Sequence, residues 1–330
     1  MRTDLSLVIR PRSSGQSSPA IPIRDSVVGE MGRFFRGLVD GFGGASLPGL
    51  GAVAPSAPRL QRNSSFPTEV VGKGMLAAAI DQLLNCGSDQ ALLGVLRQML
   101  RGEGGGAAID RKKPIIFQMS DISSSIKYIS KQVLQARAEA EPGLQGLSGR
   151  VQVFDLLFND SLVLHADGMV SDPKHSFRYT KSVVGNPDEA ESYGVLKTGS
   201  RISEAFFVAL TMARILKELG FQERIYVGAL TDGGNRNAVR DFASEASRED
   251  PIHKKWLDFS EKRAAEALYS ARQACKGSLE VGIFAFVTPA DMHLLAGFAE
   301  AVGIRQSEVR TFAQVSVADT FTEFTQWVRG

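Results

Sequence analysis

The sequence predicts an α/β fold: a doubly wound, mostly parallel sheet with one antiparallel edge strand, preceded by a low-complexity N-terminal region. Three observations predict it. From about residue 112 onward, short apolar runs alternate with longer amphipathic ones. The runs PIIFQM, IYVGAL and VGIFAFV are apolar without alternation, as strands covered on both faces are. Polar clusters sit where two of these runs end, which is where open α/β sheets place their ligands.

Each element has its own justification. MLAAAIDQLLNCGSDQALLGVLRQML (75–100) reads as two short helices joined near Gly87, and RGEGGGAAID then reads as a flexible linker. PIIFQM is a buried strand. IKYISKQVLQARAEA is a helix with Ile126, Ile129, Val133 and Leu134 on one side. VQVFDLLF (151–158) is a strand, and Asn159-Asp160 turns it into SLVLH, giving a hairpin and hence the antiparallel strand. A long irregular stretch is expected over 166–197. RISEAFFVALTMARILKEL is a strong helix, with Ile202, Ala205, Phe206, Ala209, Leu210, Ala213 and Leu216 at three- and four-residue spacing and Gly220 just past its end. IYVGAL (225–230) is a strand, KWLDFSEKRAAEALYSARQAC the clearest part of a long helix, and VGIFAFV (281–287) a strand. MHLLAGFAEAVG is a helix, VRTFAQVSV (309–317) a last strand and DTFTEFTQWV a last helix.

The N-terminal part differs. Residues 10–66 are dominated by Gly, Pro and Ser and lean basic through Arg10, Arg12, Arg24, Arg33, Arg36, Arg59 and Arg62. The expected organisation is an arm over 1–110, largely disordered with short helices around 75–100, and a folded domain over 111–330. The arm reads as a solubilising tail or as a docking arm carrying MGRFFRGLV (31–39).

Composition bounds the function classes. The 330 residues are 43% hydrophobic and 22% charged, with net charge +2 and pI about 8.5. That balance gives no field that argues for nucleic acid. Cys86 and Cys275 are far apart in sequence and fit neither a disulfide framework nor a metal spacing. No apolar stretch approaches a membrane span, and the first residues lack the apolar core of a secretory signal. The expectation is a cytoplasmic protein with neither membrane nor nucleic acid as partner.

Three loops carry the chemistry: DISSS after PIIFQM, TGSRIS (198–203) opening the strong helix, and TDGGNRN (231–237) after IYVGAL. If the two strands are neighbours, the three loops share one rim. Asp121, Ser123, Ser125, Ser200 and Asp232 then supply two carboxylates and three hydroxyls. An all-oxygen set suits a hard cation, Mg²⁺ or alternatively Mn²⁺. Neutral hydroxyls leave the ion under-neutralised, so an acidic group of a partner can complete its shell.

In this order the loops resemble the von Willebrand factor A domain with its metal-ion-dependent adhesion site. Asp121-Ile-Ser123-Ser-Ser125 is similar to the family's Asp-x-Ser-x-Ser, and LTDGG with Asp232 to its third element. Gly199-Ser200-Arg-Ile202-Ser-Glu-Ala205-Phe206 resembles the middle element, with Ser200 at the threonine position and Thr198 as the fallback ligand. The likeness covers about 112–330. It implies a Rossmann-like sheet, no enzymatic activity, and recognition of a partner protein's Asp or Glu through the ion. It also implies that the chain acts as an adaptor beside an AAA+ ATPase of the MoxR type.

Other readings attach to the same residues. Each serine can serve as a helix N-cap. The domain can be a structural scaffold without metal. Ser124-Ser125-Ile126-Lys127 with Lys197-Thr198-Gly199 matches two elements of penicillin-recognising serine hydrolases, but the third element is absent. Gly194 to Ser200 half-imitates a phosphate loop without its lysine. His165, Asp167, Asp172 and His175 read as a solvated loop rather than a second metal site.

Overall fold

The computed structural model describes residues 75–103, 108–159, 165–171, 199–233, 251–287, 289–313 and 317–330. All of them belong to one compact unit, Ser56–Gly330. Its elements in chain order are α1 (Met75–Cys86), α2 (Gln90–Arg101), β1 (Ile115–Asp121), a 3₁₀ helix (Ser124–Ile129), α3 (Ser130–Leu147), β2 (Gln152–Phe158) and β3 (His165–Ser171). Then follow α4 (Ile202–Glu218), β4 (Ile225–Thr231), α5 (Pro251–Cys275), β5 (Leu279–Val287), α6 (Pro289–Val302), β6 (Val309–Ala313) and α7 (Val317–Arg329).

The sheet order is β3-β2-β1-β4-β5-β6. β2, β1, β4, β5 and β6 run parallel, and β3 pairs antiparallel with β2. β1 and β4 are central neighbours in register from Ile115 opposite Ile225 to Ser120 opposite Leu230. From β1 the chain winds outward to β2, and from β4 it winds the other way to β5 and β6. The loops leaving β1 and β4 therefore part at the switch point and open a crevice between them.

Both faces are covered because alternate strand residues point to opposite sides. Ile115, Phe117 and Met119 of β1 join a core with α1, α2, α4, α5 and α6. Ile116 joins a second core with Val133, Ala136 and Ala140 of α3 and Phe321, Phe324 and Val328 of α7. The central strands are buried along their whole length, which explains their unbroken apolar runs. α7 approaches the sheet so closely that a Cβ at Gly228 would lie 2.8 Å from the Phe324 ring and 3.0 Å from the Trp327 ring.

The structure revises several expectations. The antiparallel strand is His165–Ser171 rather than SLVLH; residues 160–164 lie outside the described residues. The apolar run drew the sequence reading to SLVLH, but the pairing residues HADGMVS are mostly polar or small. His165 and Asp167 thus belong to a strand, while Asp172 and His175 lie outside the described residues. The last strand ends at Ala313, and Val317 already begins α7. The helix after β1 opens with a 3₁₀ segment that includes Ser124 and Ser125.

α1 and α2 form where the sequence places helices, and their apolar faces sit in the same core as the sheet. Residues 110 and 111 therefore do not divide two cores. Arginines fasten the pair: Arg214 of α4 bonds Asp89, and Arg263 of α5 donates to the carbonyls of Leu83 and Leu84 at 3.0 and 3.2 Å. The Arg263 guanidinium also lies 4.0 Å from the centroid of the Phe207 ring.

Candidate metal centre

The carboxyl end of β1 carries Asp121, which is buried. Its Oδ1 accepts the Ser123 backbone N–H at 2.8 Å, an Asx-type turn that folds the DISSS loop back over the strand end. Its Oδ2 accepts two hydroxyls at 2.7 Å each, from Ser200 and Thr231. The Ser123 hydroxyl shares a 2.8 Å hydrogen bond with Ser125 and donates to Asp232 Oδ1 at 3.3 Å. Asp121, Ser123, Ser125, Ser200 and Asp232 thus form one connected cluster. The loops come from three separate stretches of chain, as the strand-end argument requires.

The local chain explains the placement. The end of β2 and the residue after it steady two of the loops: Ile122 N–H bonds the Phe158 carbonyl at 2.9 Å, and Arg201 N–H the Asn159 carbonyl at 3.4 Å. Gly199, just before Ser200, has φ of 101°, a conformation that favours glycine. Thr231 closes β4, and its hydroxyl accepts the Gly233 N–H at 3.2 Å, so one side chain orients both Asp121 and the turn bearing Asp232. The sequence reading passed over Thr231. The available signal was a hydroxyl ending a strand that is otherwise apolar.

The N-cap reading of the serines is not what the structure contains. Ser123 occupies the N-cap of the 3₁₀ helix without a side-chain cap bond. Arg201, not Ser200, caps α4, also without one. The hydroxyls of Ser123 and Ser200 are directed at carboxylates instead. Thr198 lies outside the described residues, as do Lys197, Asn235, Arg236 and Asn237.

The electrostatics are unusual for two carboxylates. Burial pushes Asp121 above the ordinary aspartate range, against the opposing effect of the Ser200 and Thr231 hydroxyls and the Ser123 amide. Burial pushes Asp232 up to about 7, and the nearby charge of Asp121 adds to the rise. Among the described residues no Lys, Arg or His forms an ion pair with either one. Two buried carboxylates without a counter-charge are costly in the ionised form. A divalent cation would supply that charge, and the surrounding donors are the hard oxygens it prefers. The residues therefore fit the group. Among the described residues no three His, Cys, Asp or Glu side chains gather as a metal cluster, so hydroxyls make up the rest of this donor set.

No protein-family model matches the chain. No curated protein matches it in sequence. Solved structures similar in part include the minor pilin PilB of Streptococcus sanguinis, at 11% identity and TM-score 0.42 over 67% of this chain and 62% of that one. A von Willebrand factor type A protein from Catenulispora acidiphila is similar at 16% identity and TM-score 0.35, over 65% and 42%. The manganese-loaded TRAP protein of Plasmodium vivax is similar at 12% identity and TM-score 0.38, over 66% and 75%. The chain spans less than two thirds of the length of the first structures it matches, for example 62% and 42%. With every one of these TM-scores below 0.5, the functional reading rests on the chain's own residues. Among those described, no helix is long and apolar enough to cross a membrane.

Proposed function

We propose that this chain is a protein-recognition module rather than an enzyme. It binds Mg²⁺, or Mn²⁺ in its place, at the carboxyl edge of the sheet, and through the ion an aspartate or glutamate of a partner protein. The observation that carries this reading is the pair of buried carboxylates, Asp121 and Asp232, set among hydroxyls with no cationic side chain among the described residues paired to them. Ser123, Ser125 and Ser200 would hold the ion through their hydroxyl oxygens, and Asp232 would balance part of its charge. Asp121 already accepts three hydrogen bonds, so its part is to hold Ser200, Thr231 and the DISSS turn in position. The bound ion supplies an under-neutralised positive charge for a carboxylate.

Two parts of the proposal remain. One is a cytoplasmic location, in keeping with two cysteines that form no disulfide framework. The other, which the resemblance to A domains with adhesion sites adds, is an adaptor role beside a MoxR-type AAA+ ATPase. A second reading, a metal-free scaffold, has one observation in its favour: the Ser123, Ser125, Ser200 and Thr231 hydroxyls already have hydrogen-bond partners within the protein.

Calorimetric titration of the full chain with Mg²⁺ and Mn²⁺ separates the two. The full chain is needed because α1 and α2 belong to the core. Saturable binding that is weakened by about 10–100-fold in Asp121→Ala, which frees the groups that Asp121 positions, and weakened also in Ser200→Ala is the expected result. A folded wild-type chain that takes up neither ion overturns the metal reading and leaves the scaffold.

A further inference from the structure

Tyr128 is 85% exposed, the most exposed large hydrophobic side chain among the described residues. A single exposed aromatic needs no explanation on its own. Its register does. Ser125 and Tyr128 both lie on the 3₁₀ helix Ser124–Ile129. In a 3₁₀ helix side chains three residues apart eclipse, so Tyr128 stands in line with Ser125, about 6 Å further along the axis. Ser125 is tied to the centre through its 2.8 Å hydrogen bond with Ser123. Ile129, one position on and therefore on another face, is buried and anchors the segment to the core under α3. The short helix thus has one face packed inward, and another that carries a candidate ligand and a bare phenol ring in a row.

We propose that Tyr128 is the specificity contact of this surface, and that the partner presents an apolar side chain two residues from its recognised carboxylate in an extended segment. The inference rests on the carboxylate-recognition reading above. In an extended chain residues two apart point the same way and are separated by about 6.6 Å. That matches the step from Ser125 to Tyr128. The carboxylate is drawn by charge to the centre, and the neighbouring side chain then lies across the ring. A tyrosine suits this position because its ring offers apolar area while its hydroxyl stays in water.

The test uses the full chain with saturating Mn²⁺ and three capped peptides. One is Gly-Leu-Gly-Asp-Gly-Leu-Gly, with leucine two residues from the acid on either side. The second is Gly-Gly-Leu-Asp-Leu-Gly-Gly, with leucine adjacent. The third keeps only the aspartate among glycines. The first is expected to bind about fivefold tighter than the third, the gain of one leucine laid on an exposed ring. The second is expected to show no such gain. The advantage should vanish in Tyr128→Ala and survive in Tyr128→Phe, while Mn²⁺ binding stays unchanged in both. Equal affinity for the three peptides, or an advantage that persists in Tyr128→Ala, overturns the role of Tyr128 and leaves the metal centre standing. Absence of Mn²⁺ binding in the wild type, or of any peptide binding to the Mn²⁺ form, overturns the carboxylate-recognition reading and this inference with it.

Discussion

Around the helices, half-buried carboxylates meet arginines. Asp89 bonds Arg214, Glu308 takes Arg272 at 2.8 Å, and Glu323 takes Arg310 at 3.0 Å. At the carboxyl edge of β1 and β4, Asp121 and Asp232 meet hydroxyls and each other. The chain therefore has the means to neutralise acids, yet among the described residues no cation pairs with the buried Asp121 and Asp232. Pairing at the helices serves attachment. At the sheet edge, two buried carboxylates without a described cationic partner cost local stability, and on the proposed reading that charge is met from outside.

The contrast breaks most sharply in Asp232→Asn, which keeps the side-chain shape and removes one charge. Affinity for Mg²⁺ is expected to fall by at least about 100-fold, the loss of a charged donor rather than of a positioning neighbour. The metal-free thermal midpoint at pH 8 is expected to rise by about 3 °C, since an unpaired buried charge has gone. Calorimetry reads both. A variant that binds Mg²⁺ as the wild type does would remove Asp232 from the centre.

Acidity tests the same charge without a mutation. The Asp232 carboxyl has a folded-state pKa raised from 3.8 to about 7. A raised pKa means that the folded state holds the proton more tightly. Its contribution to stability is complete below the unfolded value and is lost as pH rises through the folded one. The metal-free midpoint is thus expected to decline between about pH 4 and 7 from this group, and saturating Mg²⁺ should remove that decline. A metal-free profile without this loss would contradict the uncompensated pair.

Gly228→Ala sharpens the contrast from a face of the sheet, away from its carboxyl edge. The new Cβ meets the Phe324 ring at 2.8 Å and the Trp327 ring at 3.0 Å. Overpacking of this kind costs about 1–3 kcal/mol, read as a lower urea midpoint, with Mg²⁺ affinity unchanged in the folded protein. Asp89→Ala is expected to have the smallest effect. Loss of a partly exposed ion pair costs about 0.2–1 kcal/mol and should leave metal binding untouched. Weakened binding in either variant would mean that the helix layers and the sheet edge are not independent.

Much of this contrast could be read before the structure was. Apolar strands longer than alternation allows, with acids and hydroxyls at their ends, reveal both the layered fold and the rim where Asp121, Ser200 and Asp232 meet. What escaped depends on tertiary context. The 3₁₀ opening at Ser124 lies in a serine-rich loop where side chains compete with backbone hydrogen bonds, and periodicity cannot resolve that. β3 has too few large apolar residues to announce itself. α1 and α2 carry ordinary amphipathic patterns, and only packing shows that they share the sheet's core. Thr231 looked like the last residue of a strand until its hydroxyl was found on Asp121.

The groups that meet at the centre are far apart along the chain: Asp121 and Ser200 by 79 residues, Asp121 and Thr231 by 110. Closing such loops costs chain entropy before any contact repays it. If these side chains come together only after the rate-limiting step, the centre exists in the native state but not in the transition state that precedes it. An ion bound there would leave the rate of folding almost untouched and would slow unfolding by nearly its whole binding free energy. Metal supply would set how long the assembled domain lasts rather than how quickly it is made.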